Sequence, residues 1–297
     1  MLCTEHGHFT MKFSSLNSGT RMPLFGLGSD KLLGHDVVYS SLDVAFKLGY
    51  TLIDTAASYK NEKDIGDCLR ELLPKHGLSR ADIFITSKLD PKDHGFDEAY
   101  SACLDSLDKL QTDYLDLYLI HWPAKAKIKS EDPRHADFRR DSWMALEKLY
   151  RAGKVKNIGI SNYTLKHLEE MTSYATIQPS VLQVEYHPLL VQTDLLQWCK
   201  ANGVLLQTYR SLGKGKLLTE PVVVTIAERT SKTPAQVLLQ WALQQDLGVI
   251  PKSGTPNHMK ENMATIHLGP LADGDMEALT SLNRGERYCK HDPTGIA

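Results

Sequence analysis

Four side chains in this sequence have the types and the spacing of a proton-donating site: Asp54, Tyr59, Lys88 and His121. Three of them end short apolar runs that have the character of buried strands. A phenol has a reference pKa of about 10, so Tyr59 alone is a poor acid near neutral pH. A nearby ammonium lowers that pKa, and a carboxylate can hold the ammonium in place. The four residues therefore predict a tyrosine general acid of the kind that protonates a carbonyl oxygen during reduction.

Each of these residues also has an ordinary structural interpretation. Asp54 could cap a turn, Tyr59 could be a half-buried aromatic residue, and His121 could be a core histidine with its hydrogen bonds satisfied. Lys88 differs, because a lysine that ends an apolar strand loses much of its hydration unless a charged partner compensates. The functional hypothesis depends on all four residues lying together at matching strand ends.

Size and composition indicate one soluble globular domain. The chain has 297 residues, of which 42% are hydrophobic, and its formal net charge is −2. Single barrel domains of about 200 to 400 residues are common, so this length does not require a second domain. The charge gives no indication of a nucleic-acid partner, and no apolar stretch approaches the roughly 20 residues of a membrane helix.

The first ten residues are predicted to be a flexible extension, and residues 11–297 to be one domain. Residues 1–10 lack the apolar core of a signal peptide. They contain His6 and His8. Metal binding by this pair of histidines is a remote alternative, and we expect no metal site. The five cysteines are far apart and include no C-x-x-C pair, a pattern typical of reduced thiols in a cytosolic protein: Cys3, Cys68, Cys103, Cys199 and Cys289.

Eight strand-like runs alternate with amphipathic segments of helical period. The predicted strands are 24–28, 51–54, 83–88, 115–121, 157–161, 181–185, 204–209 and 248–251. The predicted helices are 37–48, 62–73, 97–110, 142–151, 165–173, 195–201, 222–229 and 235–244. Alternation of this kind predicts right-handed βαβ units and a parallel sheet, and eight units favour a closed (β/α)₈ barrel. Residues 11–24 predict a β-hairpin that closes the barrel floor, and 123–140 predict a surface loop.

Polar residues occur at the ends of most predicted strands. In such barrels the catalytic groups lie at the C-terminal ends of the strands. One polar residue at such a position is ordinary, but seven strands that each supply one are not. Besides the four residues above, the set contains Trp122, Ser161, Asn162, Gln183, Glu185, Tyr209, Lys252 and Ser253.

Several of these segments resemble those of the aldo-keto reductase superfamily, and the resemblance covers nearly the whole chain. The segments are Gly26-Leu27-Gly28, Ile53-Asp54-Thr55-Ala56 with Tyr59, Ser87-Lys88-Leu89, Ile120-His121-Trp122-Pro123, Gly159-Ile160-Ser161-Asn162, Gln183-Val184-Glu185-Tyr186-His187-Pro188 and Ile250-Pro251-Lys252-Ser253. The resemblance implies a (β/α)₈ barrel that uses NADPH without a Rossmann domain. This agrees with the lack of a complete G-x-G-x-x-G motif in the sequence.

The resemblance also assigns roles to the four residues. It implies that Tyr59 protonates the carbonyl oxygen as hydride arrives from the nicotinamide, and that Lys88, paired with Asp54, lowers the pKa of the tyrosine. It further implies that His121 orients the carbonyl group through a hydrogen bond.

A larger set is implied to bind NADPH or NADP⁺. In it, Tyr209 would stack on the nicotinamide, with Ser161, Asn162 and Gln183 at its carboxamide. Lys252 and Ser253 would meet the ribose phosphate near a helix that starts around Pro256, where the helix N-terminus favours anions. The complete set is Ser29, Ser161, Asn162, Gln183, Tyr209, Arg210, Leu212, Lys252, Ser253, His258, Glu261 and Asn262.

Two positions depart from the family pattern at the cofactor. His258 stands where many members have an arginine that clamps the 2′-phosphate, and a histidine near neutral pH cannot make a bidentate ionic contact. We therefore expect a weaker preference for NADPH over NADH. Arg210 stands where the family often has a small residue, and with Lys214 and Lys216 it could add charge at the pyrophosphate. A solvated loop is the alternative.

The predicted substrate pocket consists of Asp30, Ser58, Asp90 and Trp122. Both aspartates occupy positions that are usually aromatic in related reductases, and of the expected aromatic walls only Trp122 remains. Two carboxylates would disfavour anionic carbonyls and tolerate polar ones. Residues 287–297 are short for the family, so we expect a broad, open pocket for small aldehydes and ketones.

The sequence thus predicts a monomeric, cytosolic, NADPH-dependent aldehyde and ketone reductase that acts on a small carbonyl substrate, without nucleic-acid or membrane partners. One alternative is a Schiff-base lyase on the same barrel with Lys88 as the nucleophile. The other is a non-catalytic NADP(H)-binding regulator or a structural protein on the same scaffold.

Overall fold

A computed structural model describes residues 11–297, so Cys3, His6, His8 and the predicted extension lie outside it. The strands of the described range are β1 Phe13–Ser15, β2 Arg21–Pro23, β3 Leu27–Gly28, β4 Leu52–Asp54, β5 Phe84–Leu89, β6 Leu117–Ile120, β7 Ile158–Ser161, β8 Val181–Glu185, β9 Leu205–Tyr209 and β10 Gly248–Val249. The α-helices of this range are α1 His35–Lys47, α2 Glu62–Lys75, α3 Phe96–Leu110, α4 Arg134–Arg151, α5 Leu165–Met171, α6 Thr193–Ala201, α7 Pro221–Thr230, α8 Pro234–Leu243, α9 Pro256–Ala264 and α10 Asp273–Thr280.

Strands β3 to β10 form one parallel sheet in which each strand pairs with the next along the chain. Two further parallel bridges, Phe25 to Val249 and Gly28 to Lys252, join its first and last strands. The sheet is therefore closed, and the predicted (β/α)₈ barrel is confirmed. The strands are buried on both faces, as expected for a sheet that is covered by helices outside and filled by side chains inside. All six residues of β5, for example, are buried.

The predicted hairpin is present as the antiparallel pair β1 and β2. Its turn contacts the barrel through Asn17, whose Nδ2 donates to the carbonyl oxygen of Pro179 at 2.9 Å. Ser18 Oγ donates to Oδ1 of Asn157, which directly precedes β7. These contacts place the hairpin at the N-terminal ends of the strands, the end opposite to the predicted site.

The barrel is held together by close packing between its layers. Gly66 of α2 illustrates this, because a Cβ atom there would lie 2.3 Å from the carbonyl oxygen of Lys109 in α3. Helix α8 begins as its sequence predicts, with Thr233 Oγ1 accepting the backbone N–H of Gln236 at 3.2 Å and Pro234 at the first helical position.

The four described cysteines are free thiols. Within residues 11–297, no helix is both long and apolar enough to cross a membrane.

The structure corrects two predictions about the segments between strands. Residues 134–140 are the first two turns of α4, although 123–140 were predicted to be a loop. Charged residues dominate this part of the helix and obscure its period, but Arg139 faces inward and is fully buried. A 3₁₀ segment, Gly213–Thr219, and helix α10 were not predicted.

Candidate active site

The four predicted residues Asp54, Tyr59, Lys88 and His121 are named the tetrad. The ammonium group of Lys88 lies at its centre. Lys88 is fully buried near the end of β5, and its Nζ donates to Oδ1 of Asp54 at 2.6 Å and to the carbonyl oxygen of Thr55 at 2.8 Å. The third neighbour is the hydroxyl of Tyr59, 3.2 Å from the same nitrogen. All three donor positions of the ammonium are therefore used, which compensates for its lost hydration.

Tyr59 reaches this position through a short 3₁₀ turn, Ala57–Tyr59, that follows β4. Lys60 after it has a left-handed φ of 59°, which ends the turn. Asn61 fixes the following chain, because its Oδ1 accepts from Thr55 Oγ1 at 2.7 Å and its Nδ2 donates to the carbonyl oxygen of Ser29 at 2.9 Å. The turn therefore places the phenol over the end of β5.

The pKa of Tyr59 differs from the one expected from the sequence. Burial raises it well above the usual 10.0, and the carboxylates of Asp54 and Asp30 raise it further, while Arg210 opposes them. The net shift of the pKa is therefore opposite to the expected lowering, because desolvation is the largest effect. The phenol is fully protonated at neutral pH, which is the form that a proton donor requires.

His121 lies beside the phenol, with the two ring centroids 5.7 Å apart and the planes at 78°. Burial, with help from the positive charge of Lys88, lowers the pKa of His121 well below 6.5, so the ring is neutral at neutral pH. Its Nδ1 is 3.3 Å from the hydroxyl of Ser58. If Ser58 donates this hydrogen bond, the ring proton is on Nε2 and is available to a second acceptor.

Asp54 is also held from the other side of the barrel. Gln183 of β8 donates through Nε2 to Oδ2 of Asp54 at 2.8 Å and to Oε1 of Gln207 at 2.7 Å. The two carboxylate oxygens of Asp54 therefore accept from different partners, one cationic and one neutral. This network fixes the ion pair through Nε2 of Gln183, a residue that also lines the cavity.

A cavity of about 650 Å³ opens at the C-terminal ends of the strands. It is lined by Asp54, Tyr59 and His121 of the tetrad, whereas Lys88 lies behind them. Six of the predicted cofactor residues also line it: Asn162, Gln183, Tyr209, Arg210, Leu212 and Lys252. Tyr209 donates its hydroxyl to Oδ1 of Asn162 at 2.6 Å, so the tyrosine ring is held at the cavity wall.

The charge of the lining fits a phosphate-bearing cofactor. Four cationic side chains face the cavity: Lys31, Arg210, Lys214 and Lys252. Nη1 of Arg210 is buried without a hydrogen-bond partner and lies 3.9 Å from the carboxylate of Glu185. Gly28 lets the first and last strands of the barrel approach closely, because a Cβ there would lie 2.7 Å from the carbonyl oxygen of Ile250. Helix α9 begins at Pro256, shortly after Lys252, and a helix N-terminus favours anions.

The other six predicted cofactor residues do not line this cavity. Ser29 and Ser161 are buried at strand ends, where Asn61 and Asn162 contact their hydroxyl groups. Glu261 accepts from Thr233 Oγ1 at 2.6 Å, and Asn262 is buried on α9. Ser253 Oγ accepts the N–H of Thr255 at 3.1 Å, and His258 is exposed on α9.

The predicted substrate residues divide into two pairs. Asp30 and Trp122 line the cavity. Asp90 does not, because its carboxylate caps the 3₁₀ turn Pro91–Asp93 by accepting the N–H of Lys92 at 3.0 Å. Ser58 contacts His121 rather than the cavity. The predicted pair of carboxylates in the pocket is therefore reduced to Asp30.

Among the cavity residues with ionisable side chains, three were not predicted: Lys31, Cys289 and His291. Lys31 adjoins Asp30 and could have been inferred from that neighbour. Cys289 and His291 belong to the C-terminal segment, whose path over the barrel has no periodic signal in the sequence. The ring of His291 packs edge-on against Trp122, with centroids 5.8 Å apart. The C-terminal segment therefore contributes to the cavity wall.

Comparisons with known proteins identify the family of this chain. Residues 26–284 match the model of the Aldo/keto reductase family. Glyoxal reductase of Bacillus subtilis is 43% identical over 272 residues, which cover 92% of this chain and 93% of that protein. Aldo-keto reductase family 1 member A1-A of Danio rerio is 41% identical over 294 residues, with 92% and 90% covered.

Solved structures show the same fold. An aldo/keto reductase of Brucella melitensis superposes with a TM-score of 0.83 at 36% identity and covers 92% of this chain and 100% of its own. A mutant of Gox0644 in complex with NADPH superposes with a TM-score of 0.85 at 34% identity, with 96% and 98% covered. The resemblance seen in the sequence is thus confirmed, and the chain belongs to the aldo/keto reductase family of NADP-dependent oxidoreductases.

Proposed function

We propose that this protein reduces small aldehydes and ketones to alcohols with NADPH, and that Tyr59 is the proton donor. The observation that carries the proposal is the position of the Tyr59 hydroxyl, which faces the cavity and lies 3.2 Å from the ammonium of Lys88. A protonated phenol beside a fixed cation can give up its proton as negative charge develops on a carbonyl oxygen.

The four residues divide this work. When bound, NADPH supplies the hydride. Tyr59 transfers its proton to the carbonyl oxygen, and Lys88 stabilises the phenolate that remains. Asp54 keeps Lys88 charged and in place despite its burial. His121, neutral at neutral pH, donates from its free N–H to the same carbonyl oxygen and so orients it toward the phenol.

The cofactor would be held along the cavity by residues of several strand ends. Tyr209 offers its ring face to the nicotinamide. Asn162 and the side-chain oxygen Oε1 of Gln183 are suitable partners for the carboxamide. Arg210, Lys214 and Lys252 provide positive charge for the phosphates. The residues on α9 that lie outside the cavity lining, among them His258, remain candidates for the adenosine end.

The substrate is proposed to be a small, polar carbonyl compound without a negative charge. Asp30 gives the pocket a carboxylate, and Trp122 and His291 restrict its size. The relative from Bacillus subtilis is named a glyoxal reductase, which is consistent with a small dicarbonyl substrate. We also retain a monomeric, cytosolic enzyme as part of the proposal, to be tested by sedimentation and by localisation of the tagged protein.

A carbonyl panel tests the proposal directly. NADPH absorbance loss is followed with glyoxal, methylglyoxal and aromatic aldehydes, with Tyr59→Phe as the matched variant. Turnover that disappears in the variant supports the proposal. A wild-type protein that binds NADPH but reduces no member of the panel would favour the non-catalytic regulator.

The Schiff-base lyase is less compatible with this geometry. Lys88 is fully buried, is absent from the cavity lining and has all three hydrogens engaged, so its amine is not presented to a carbonyl carbon. Borohydride reduction in the presence of substrate, followed by mass spectrometry of the intact chain, distinguishes the two chemistries. A stable adduct on Lys88 would support the lyase.

A further inference from the structure

The C-terminal residues Tyr288–Ala297, here named the C-terminal strap, cross the mouth of the cavity. Cys289 and His291 of the strap line the cavity, and His291 packs against Trp122 on the opposite rim. The strap therefore forms one wall of the pocket in which the carbonyl compound is proposed to bind. Its position depends on how its two ends are fixed.

The C-terminal end of the strap, its far end, is attached to the segment that precedes α4 and to α5. Its N-terminal end, at Tyr288 and Cys289, is the near end. The backbone N–H of Ala297 donates to the carbonyl oxygen of Ser130 at 2.8 Å. His167 of α5 is buried, and its Nε2 lies 3.2 Å from the carbonyl oxygen of Ile296. Ile296 itself is buried. These contacts hold the last two residues against the outer layer of the barrel.

The near end is attached to one carboxylate, that of Glu185 at the end of β8. The backbone N–H of Tyr288 donates to Oε1 at 2.6 Å, and the backbone N–H of Cys289 donates to Oε2 at 2.8 Å. Two successive amides that each bind a different oxygen of the same carboxylate fix both the position and the direction of the chain.

Glu185 has two more partners that keep it in the charged form. His187 Nε2 lies 3.2 Å from Oε1, and Arg210 Nη1 lies 3.9 Å from Oε2. Glu185 is 1% exposed, so an unpaired carboxylate at this position would be strongly unfavourable. Burial alone would raise its pKa, but the hydrogen bonds from His187 and the two amides lower it below 4.5. The carboxylate therefore remains an acceptor throughout the neutral range.

We propose that Glu185 is a positioning residue that holds the C-terminal strap over the pocket and thereby restricts the enzyme to small carbonyl compounds. This inference rests on the proposed function, because it concerns the choice among carbonyl substrates. The restriction acts through the strap wall formed by Cys289 and His291. Glu185 contacts neither the reacting atoms nor the four residues that carry the chemistry.

The test uses Glu185→Gln in the full-length protein. A glutamine has one carbonyl oxygen, so only one side of the group still accepts an amide, and its NH₂ faces the other. We expect hydrogen exchange in the peptide that contains Tyr288 and Cys289 to become at least tenfold faster. The ratio of kcat/KM for phenanthrenequinone to that for methylglyoxal should rise at least fivefold, while kcat for methylglyoxal changes less than threefold.

Glu277→Gln is the matched control, because it makes the same change at an exposed position of α10. It should alter neither the exchange rate nor the substrate ratio. Deletion of Ile296 and Ala297 is the second variant, since it releases the far end of the strap without touching Glu185. It should shift the substrate ratio in the same direction, and an unchanged ratio would overturn the restriction of substrate size by the strap even if Glu185→Gln fails to fold.

The outcomes are distinguishable. Faster exchange with an unchanged substrate ratio overturns the role in specificity, and unchanged exchange overturns the anchoring itself. If the wild-type protein reduces no carbonyl compound, the proposed function fails and the substrate restriction fails with it. The exchange measurement on Tyr288 and Cys289 needs no turnover, so it still judges the anchor in that case.

Discussion

The hydroxyl oxygen of Tyr59 lies 3.2 Å from Nζ of Lys88, on the cavity side of an ammonium that is otherwise enclosed by protein. Lys88 thus reaches the cavity only through the phenol. Its charge can affect a carbonyl substrate mainly by stabilising the deprotonated form of Tyr59. This relationship makes the effects of mutations in the tetrad separable.

Replacing Tyr59 by phenylalanine removes the proton and leaves the ring. A positioned general acid contributes about 100- to 10,000-fold to a rate, so kcat for methylglyoxal should fall by about that factor. The dissociation constant for NADPH, measured by quenching of protein fluorescence, should change less than threefold. Retention of more than a tenth of the wild-type kcat would contradict the role of Tyr59.

The pH dependence follows from the two shifted groups. Tyr59 acts when protonated, and because its pKa lies well above 10.0, raising the pH to about 9 should not deplete the acid. His121 acts when neutral, and because its pKa lies well below 6.5, lowering the pH to about 6 should not protonate it. The value of kcat/KM for methylglyoxal at saturating NADPH should therefore be flat between these limits. A falling limb with a midpoint between pH 7 and 8.5 would show instead that Lys88 acidifies the phenol once the cofactor is bound.

Asp54→Asn should destabilise the fold as well as impair activity. It leaves the buried ammonium of Lys88 without its carboxylate, and breaking a buried ion pair from one side costs about 3–5 kcal/mol. Urea unfolding measures the change. Asp105→Asn is the control, because Asp105 pairs with Lys109 on the surface of α3 and such pairs contribute about 0.5 kcal/mol. Equal losses in the two variants would show that the buried pair has no special role.

His258→Arg should strengthen the preference for NADPH. An arginine near the start of α9 can form a charge-assisted contact with the 2′-phosphate, and hydrogen bonds to charged groups contribute about 1.5–3 kcal/mol. The ratio of the NADH to the NADPH dissociation constant should therefore rise about tenfold or more. Lys260→Arg, at another exposed position of α9, adds no charge and should leave the ratio of the two dissociation constants unchanged. Equal affinity of the wild-type protein for both coenzymes would show that Lys252 alone is insufficient for discrimination.

Asp30 and Asp90 form a natural pair for testing the pocket. Asp30→Asn removes a negative charge from the cavity lining, so kcat/KM for the anionic substrate glyoxylate should rise about fivefold relative to methylglyoxal. Asp90→Asn changes a turn cap outside the cavity and should leave the ratio as it is. A larger effect at Asp90 than at Asp30 would mean that the carboxylate facing the substrate has been wrongly identified.

The barrel and the tetrad could be predicted because their signals are local. Each strand is a short apolar run, and Asp54, Lys88 and His121 mark where such runs end. The fate of Asp90 could not be predicted in this way. It follows a strand like the others, but the proline after it starts a turn whose amide takes the carboxylate. The contributions of Cys289 and His291 depend on the path of the strap, which is set by a carboxylate about a hundred residues earlier in the chain.

The direction of the Tyr59 pKa shift was missed for a related reason. A list of charges along the sequence includes Lys88, but it does not show how deeply the phenol is enclosed or that Asp30 faces it. Desolvation depends on the packing of the whole site, and only a three-dimensional structure supplies that information.

The bridges from Phe25 to Val249 and from Gly28 to Lys252 have a consequence for synthesis on the ribosome. Gly28 and Lys252 both border the cavity, although more than two hundred residues separate them in the chain. A nascent polypeptide can therefore assemble most of its helices and strands while its catalytic centre is still incomplete. Competence to bind the nucleotide should arise late and abruptly, after the final barrel strand has left the exit tunnel.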